Sequence, residues 1–364
     1  MTRESTATRY PFEPDYAVAP GRTLQETIDT LGMDQRDLAT RTGLSPKHIN
    51  QIIQGIAPIT HETAIGLEKV TGVPARMWNN LEVNYREQLA KLAERKRLEN
   101  ELAWLKKVPT AELVKRKKIE KQRDRVLTLR SVLGFFGVAD VEAWKNVWLS
   151  PAVVYRKSSV FLGKPEAMAA WLRLGELEAR AVPYHPFDRA KFRAALDQIR
   201  GFTVEQPEVF VPKMKALCEG AGVAVVLIPE IKNVPVSGAT RWLTSEKAMI
   251  QLSLRYKTND QFWFTFFHEA GHILLGGKKE AFIDLNHNHG KGPAEEEADR
   301  FAANLLIPPG KSTELTQLKS AQAVKSFAES MGIAPGIVVG RLQHEKIVGY
   351  NQLNGLKVRY QWAK

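Results

Sequence analysis

The chain has 364 residues, too many for one compact core, which predicts at least two domains. Its 52 Lys and Arg against 40 Asp and Glu give a formal net charge of +12, and its hydrophobic content of 44% excludes a wholly disordered chain. A single cysteine excludes an intrachain disulfide framework, the N-terminus lacks the apolar region of a signal peptide, and no apolar run is long enough to cross a membrane. We therefore expect a basic cytoplasmic protein with a polyanionic partner and no membrane contact.

Residues 34–55, DQRDLATRTGLSPKHINQIIQG, have the pattern of two short helices joined by a tight turn. Asp34 is placed to cap the first helix, and Gly43 to end it in the left-handed conformation. Ser45 is placed to cap the second helix, with Pro46 at its favoured first position. Apolar residues fall where two such helices pack together: Leu38, Ala39, Leu44, Ile49 and Ile52. The pattern predicts a helix-turn-helix, with an ordinary helical hairpin as the alternative.

The outward face of the second helix carries polar side chains that suit DNA. Amides and a lysine on such a helix match base edges in a major groove, and Gln35 at the start of the first helix suits a phosphate. We predict that six residues contact DNA: Gln35, Ser45, Lys47, His48, Asn50 and Gln51.

Residues 14–85 resemble the HigA-type antitoxin domain within the Cro/repressor (Xre) helix-turn-helix family. The segment ITHETAIGLEKVTGVPARMW is the most distinctive part of this likeness. The resemblance implies a homodimer that binds operator DNA and that often pairs with a toxin.

The segment 86–130 is strongly basic. It holds 15 basic and 7 acidic residues, no glycine, and Pro109 as its single proline. Apolar residues at helical spacing predict two basic helices broken near Pro109. The segment is either a solvated helical linker or an arm that contacts phosphates, and the two alternatives stay open.

His268 and His272 belong to an HEAGH motif within a predicted helix. Histidines four positions apart lie on one face of a helix, so both imidazoles can reach one Zn²⁺ ion. In metallopeptidases with this motif the intervening glutamate, here Glu269, acts as the general base. Leu275 and Lys278 stand where a metzincin would need glycine and histidine, which excludes that subclass.

A third ligand is predicted on a helix over Pro293–Leu306. There the segment EEEAD places Glu295 and Asp299 four positions apart, so Glu295 can ligate the ion while Asp299 orients a ligating histidine. Two histidines and one glutamate form a recognised catalytic zinc set with one position left for water. The acidic triplet also complements the helix dipole, so other ligands stay open. These alternatives are Glu296, Glu297, His287 and His289.

The run FWFTFFHEAGHILLGG, followed by EEEADRFAANLLIPP, resembles the ImmA/IrrE family of gluzincin-like metallopeptidases. The likeness covers about residues 195–345, and the upstream VSGATRWL and KAMIQLSL fit the sheet of that family. It implies that KAMIQLSLR is the strand before the active-site helix, beside the substrate channel. It also implies endoproteolysis of a regulatory protein, often a repressor with its own helix-turn-helix.

These features predict a multidomain chain. We expect an all-α helix-turn-helix domain over 1–85, a basic helical connector over 86–150, and an α+β gluzincin-like metallopeptidase domain with a helical C-terminal tail over 151–364. Within the last part, GVAVVLIP and KAMIQLSLR predict strands.

Two further features have structural interpretations. Cys218 precedes an apolar strand and is expected in the core. The tail around Gly332 mimics a second helix-turn-helix, but its outward helix is apolar, which predicts scaffold. Arg341 and His344 on that tail remain able to line a substrate groove.

The sequence thus predicts a sequence-specific transcriptional regulator that carries a zinc endopeptidase and cleaves a protein partner, a repressor or a toxin. One alternative is an antitoxin that represses its operon and binds a toxin, with the metallopeptidase domain inactive or acting as a sensor. Another is a transcription factor whose metallopeptidase-like fold binds a small effector, which a deep apolar pocket away from the metal would favour. The intact Glu269 favours the endopeptidase, because a structural metal site needs no base.

Overall fold

The computed structural model describes residues 15–149, 164–183, 185–276 and 292–362, with the backbone alone for Phe282–Asp284. The chain forms two compact units, Met1–Leu102 and Ala103–Lys364. Across the described residues, no helix is both long enough and apolar enough to cross a membrane. The division into three parts at residues 85 and 150 stays a prediction.

The described part of the N-terminal unit is helical. Its helices are α1 (Pro20–Thr30), α2 (Gln35–Thr42), α3 (Pro46–Ile53), α4 (His61–Thr71) and α5 (Ala75–Glu101). The predicted caps form: Asp34 accepts a hydrogen bond from the backbone N–H of Asp37 at 2.7 Å, and Ser45 from that of His48 at 3.1 Å. Gly43 ends α2 at a φ of +72°, where a side chain would strain the backbone. The helices enclose a core that includes Leu24, Ile28, Leu38, Ala39, Ile49, Ile52, Leu67 and Trp78.

The basic segment has helices on both sides of Pro109, as its periodicity predicts. The long helix α5 starts at Ala75 and therefore enters the segment from the N-terminal unit. After Pro109 comes the six-residue α6 (Thr110–Lys115), and then α7 (Arg125–Phe136). The longest helix is thus shared between the predicted N-terminal domain and the predicted connector.

Helices precede the sheet of the C-terminal unit. They are α8 (Val141–Trp148), α9 (Pro165–Ala181), α10 (Arg189–Gly201) and α11 (Pro207–Gly220). Most of α9 is buried, because it packs against the sheet. There the buried side chain of Gln251 donates a hydrogen bond to the carbonyl of Trp171 at 2.8 Å, and a Cβ on Gly175 would overlap that side chain.

A four-stranded sheet lies at the centre of this unit. Its strands are β1 (Val223–Leu227), β2 (Gly238–Thr244), β3 (Lys247–Leu252) and β4 (Phe282–Asp284), in the order β1-β3-β2-β4. The strands β1 and β3 are parallel, whereas β2 is antiparallel to both β3 and β4. Every residue of β3 is buried, as expected for an interior strand covered on both faces.

Two helices on either side of β4 in the sequence pack closely together. They are α12 (Asn259–Leu275) and α13 (Pro293–Leu306), and the bounds of α13 match the prediction. A Cβ on Gly271 would lie 3.2 Å from the Cα of Ala298, which is tighter than nine in ten Cβ contacts in proteins. Small residues at this crossing therefore bring the HEAGH face of α12 against the acidic start of α13.

The C-terminal tail supports the unit. It contains α14 (Pro309–Ser312), α15 (Ala321–Met331) and α16 (Pro335–His344). Gly332 ends α15 at a φ of +62°, and three apolar residues of α16 are buried: Ile337, Val338 and Val339. The tail is therefore scaffold, as predicted, and Cys218 is in the core with no exposed surface. The predicted fold class, a helical helix-turn-helix domain combined with helices on a small sheet, is confirmed.

Candidate metal centre and DNA-binding helix

The HEAGH side chains lie in the interior of the C-terminal unit. The helix α12 packs against β2, β3 and α13, so His268, Glu269 and His272 are only 1%, 0% and 3% exposed. Three buried polar side chains in one helical turn are costly unless each is hydrogen-bonded or bound to an ion. Their partners therefore decide what the site can do.

Three ligand atoms converge at this point. The Nε2 atoms of His268 and His272 lie 3.0 Å apart. The carboxylate of Glu295 reaches both: its oxygens lie 3.2 Å from Nε2 of His268 and 3.4 Å from Nε2 of His272. These three side chains form the group that could hold a metal ion among the described residues.

The spacing of these atoms fits a small tetrahedral ion. With metal–ligand bonds of about 2.0–2.1 Å, neighbouring donor atoms lie about 3.3 Å apart. The observed separations of 3.0, 3.2 and 3.4 Å bracket that value. The set of two imidazoles and one carboxylate is also one that zinc accepts in catalytic sites.

Asp299 lies behind one of the histidines. Its Oδ1 atom is 2.9 Å from Nδ1 of His268, on the ring edge opposite Nε2. A carboxylate there keeps the proton on Nδ1, which leaves Nε2 free to face an ion. Asp299 is one turn along α13 from Glu295, so one helix supplies both groups.

Glu269 faces the sheet rather than α13. The hydroxyl of Thr240 on β2 donates a hydrogen bond to Oε2 of Glu269 at 2.6 Å, and it lies 3.0 Å from the backbone oxygen of Glu269. Gly238, two positions earlier on the same strand, leaves room for the carboxylate, because a Cβ there would lie 2.6 Å from Oε1. The strand β2 thus positions the side chain that the motif assigns as general base.

The electrostatics of Glu295 follow from its neighbours. Burial by itself would raise the pKa of this carboxyl group. The hydrogen bonds and charges of His268 and His272 outweigh burial and hold the pKa of Glu295 well below its ordinary value. The side chain is therefore an anion at neutral pH, as a metal ligand must be.

The other ligand candidates lie elsewhere. Glu296 and Glu297 on α13 are exposed, and they are absent from the described group that could hold an ion. His287 and His289 lie outside the described residues. Of the three neighbouring glutamates, Glu295 is the one in contact with the histidines.

The predicted DNA-contacting residues lie along α3 and at the start of α2. Ser45, Lys47 and Asn50 are exposed, while His48 and Gln51 are half-buried. One shallow concave surface groups three of the predicted residues with three others: Gln35, Lys47 and Asn50 with Asp34, Arg36 and Pro46.

Two of the predicted residues have roles within the unit. The Oγ atom of Ser45 is the cap of α3. The side-chain amide of Gln35 donates a hydrogen bond to Oε1 of Gln25 at 2.9 Å, which ties the start of α2 to α1. The first contact stabilises the start of α3 and the second fixes α2 on α1, while Lys47 and Asn50 are exposed.

Sequence reasoning missed Thr240, Gly238 and Arg36. The first two lie two positions apart in a strand, and a period of two would have placed them on one face. What could not be inferred is that this face meets Glu269, since pairing and packing bring together segments 29 residues apart. Arg36 is an exposed cation beside Gln35, and its position next to the predicted phosphate contact was the available signal.

Comparisons with known proteins match both halves of the chain. Residues 218–340 match the IrrE N-terminal-like domain of the M78 peptidases, and residues 24–78 match a helix-turn-helix family. An uncharacterised HTH-type transcriptional regulator of Escherichia coli, YddM, is 35% identical over 63 residues, which are 17% of this chain and 67% of that protein.

Two solved structures are similar over a part of the chain. A protein described as an antidote of a plasmid maintenance system from Nostoc punctiforme is 27% identical, with a TM-score of 0.23, and the match covers 23% of this chain and 92% of that one. An addiction module antidote of the HigA family from Coxiella burnetii is 29% identical, with a TM-score of 0.22, and the match covers 23% of this chain and 94% of that one.

Proposed function

We propose that this chain, which joins a helix-turn-helix domain of the transcriptional regulators to an IrrE-like domain of the M78 peptidase family, binds operator DNA and cleaves a regulatory partner protein. Cleavage would take place at a zinc-dependent endopeptidase centre. The observation that supports it is the buried carboxylate of Glu269 beside the three converging side chains His268, His272 and Glu295.

Each side chain has a role in this proposal. His268, His272 and Glu295 hold the ion. A bound Zn²⁺ supplies Lewis acidity, which polarises a peptide carbonyl and lowers the pKa of water. Glu269, oriented by Thr240, takes a proton from the attacking water as the C–O bond forms, and gives it to the amine as the C–N bond breaks.

The buried carboxylate of Glu269 supports a catalytic rather than a structural ion. Structural zinc sites are closed by four protein ligands, whereas catalytic sites keep one position open. The described residues bring three ligands together here, and the remaining carboxylate of the motif, Glu269, faces Thr240. A structural site would gain nothing from that buried carboxylate.

The peptidase is tested with Glu269→Gln, which keeps the shape of the side chain and removes its ability to take a proton. We expect both chains to bind one zinc ion, and new protein N-termini to appear only in cells that express the native chain. Mass spectrometry of protein N-termini measures this without knowledge of the substrate. As a control, His272→Ala should lose both zinc and cleavage.

If the native chain and Glu269→Gln gave the same profile of protein N-termini, the proposed peptidase activity would be refuted. The function left would be that of a binding module, an antitoxin that represses its own operon and holds a toxin.

For DNA we propose that α3 is the recognition helix of a homodimer. Lys47 and Asn50 are exposed on it and Gln51 is half-buried, while Gln35, Ser45 and His48 lie where phosphate contacts are expected. Gln51→Ala should relax the sequence preference, with a loss of about 1–3 kcal/mol at one base pair. Lys47→Ala should also weaken operator binding, with a smaller change in sequence preference than Gln51→Ala, and should reduce the salt dependence because one positive charge near the DNA is lost.

Lys69→Ala is the matched control for these variants. Lys69 is exposed on α4 of the same unit, so the substitution removes one positive charge away from α3. Affinities for a selected operator and for unrelated DNA at several salt concentrations give the comparison. Unchanged affinity and preference in both Gln51→Ala and Lys47→Ala would show that α3 is not the recognition helix.

A further inference from the structure

A cavity of 310 Å³ lies among three helices of the C-terminal unit, α12, α13 and α16. This volume reaches the lower end of the range for small-molecule sites, about 300–1,000 Å³. Its walls are largely apolar and include Phe264, Ala303, Leu306, Ile307 and Ile337. The cavity is therefore large and apolar enough to hold a small organic molecule.

The cavity touches the metal centre from behind. It is lined by Asp299, which contacts Nδ1 of His268, and by Phe264, whose ring lies 6.3 Å from the ring of His268. The ligand atom Nε2 is on the opposite edge of the imidazole, where it faces His272 and Glu295. A molecule in the cavity would thus touch Asp299 and Phe264 rather than the reacting atoms.

The lining of the cavity includes one arginine without an ion-pair partner among the described residues. The carboxylates that line it already face partners: Asp260 pairs with Lys357 at 2.7 Å, Glu345 with Arg341 at 2.5 Å, and Asp299 contacts His268. Arg300 lines the cavity, is exposed, and has no ion pair with any of the described residues. It is the cation that a ligand could neutralise.

We propose that this cavity binds a small carboxylic acid with an aromatic or branched aliphatic body, and that its occupancy is coupled to the metal centre through Asp299. The body lies against the apolar walls, and the carboxylate pairs with Arg300. The binding half is independent of the proposed peptidase, whereas the coupling half rests on the proposed metal site.

Coupling follows from the position of Asp299. An occupant that shifts this side chain changes the orientation and basicity of His268, and with them the affinity for the ion. By thermodynamic reciprocity, zinc must then change the affinity for the acid by the same factor. Two independent titrations therefore measure one quantity.

The first experiment measures binding of phenylacetate and of phenylacetamide to the metal-free full chain by isothermal titration calorimetry. We expect phenylacetate to bind more tightly, because the amide has the same shape but no charge. Arg300→Gln should weaken the binding of phenylacetate about three- to tenfold and leave the binding of phenylacetamide unchanged. The expected effect is this small because Arg300 is exposed and solvent screens its charge. Lys325→Gln, an exposed lysine on α15, is the control for loss of one charge.

A second variant fills the space. Ala303→Trp places an indole in the cavity and should abolish binding of both probes, while Ala321→Trp on the exposed start of α15 should not. Circular dichroism and operator binding show whether each variant is folded. Failure of the native chain to bind either probe at millimolar concentration, or binding that survives Ala303→Trp, overturns the site. Equal affinity for acid and amide overturns the role of Arg300.

The coupling is measured by zinc competition with a chelator, with and without saturating phenylacetate. We expect the zinc affinity to change at least about threefold, the phenylacetate affinity to change by the same factor when zinc is present, and both changes to shrink in Asp299→Asn. Equal zinc affinities with and without the acid, in a chain that binds both, overturn the coupling. A chain that binds phenylacetate but no zinc overturns the proposed metal site and leaves the cavity site supported.

Discussion

Replacing Asp299 by asparagine tests whether the group behind His268 tunes the metal centre. The substitution keeps the size of the side chain and removes its charge. The contact at stake joins Oδ1 of Asp299 to Nδ1 of His268 at 2.9 Å. The histidine side chain is 2% exposed and that of the aspartate is 20% exposed, so solvent screens the contact only partly.

The magnitude follows from this geometry. A hydrogen-bond partner behind a ligating histidine is worth about 10- to 100-fold in metal affinity. That range corresponds to about 1.4–2.7 kcal/mol at 25 °C. An asparagine oxygen can still accept the hydrogen bond from Nδ1. Asp299→Asn should therefore lower the zinc affinity about tenfold, which is the lower end of the range. Asp299→Ala removes the acceptor altogether and should approach the upper end.

Zinc affinity is measured on the metal-free full chain by competition with a fluorescent chelator. The pH is held constant, because histidine ligands must lose a proton to bind. Glu296→Gln is the matched control: it removes the same charge from an exposed position on the same helix. We expect this control to change zinc affinity less than about threefold, because exposed charges interact weakly.

Two results would refute the reasoning. If Glu296→Gln lowered the zinc affinity as much as Asp299→Asn does, the effect would come from the net charge of α13 and not from the contact with His268. If Asp299→Asn and Asp299→Ala both kept native affinity, the contact with His268 would have no influence on the ion.

Three further predictions concern local packing. Gly238→Ala should displace the carboxylate of Glu269, lowering the cleavage rate about 100-fold while the zinc affinity stays native. The control is Gly134→Ala, which has open space around it and should leave the cleavage rate unchanged. Equal losses of cleavage in both variants would contradict the steric argument. Ser45→Ala removes the cap of α3 and should lower the free energy of unfolding by about 1 kcal/mol in urea titrations, so an unchanged midpoint would count against it. Burial raises the pKa of Cys218, so the thiol stays protonated and iodoacetamide should label it only as the protein unfolds; labelling of the native protein at the rate of a free thiol would disprove this.

Local motifs in the sequence were sufficient for the short-range structure. The caps at Asp34 and Ser45, the left-handed Gly43, and the bounds of α13 all follow from contacts within one or two helical turns. The spacing of His268 and His272 likewise places both rings on one face whatever surrounds the helix. Such features are legible because each depends on neighbours a few positions away.

The proposed third ligand could not be identified from the sequence pattern alone. The sequence placed three glutamates in one helical turn and ranked them by spacing alone. The rotation of α13 about its axis decides which of them faces the histidines, and the close contact of Ala298 with Gly271 sets that rotation. Glu295 is therefore the one within 3.4 Å of both imidazoles.

The sequence by itself determined the two domain types, the helix-turn-helix pattern and the histidine pair, because these depend on patterns shorter than a few turns. Only the tertiary structure decided that Thr240 and Gly238 hold Glu269, that the basic segment begins on helix α5 within the N-terminal unit, and that a cavity lies behind His268. Those features join residues tens of positions apart. Their geometry depends on how helices and strands pack, and no local pattern encodes that packing.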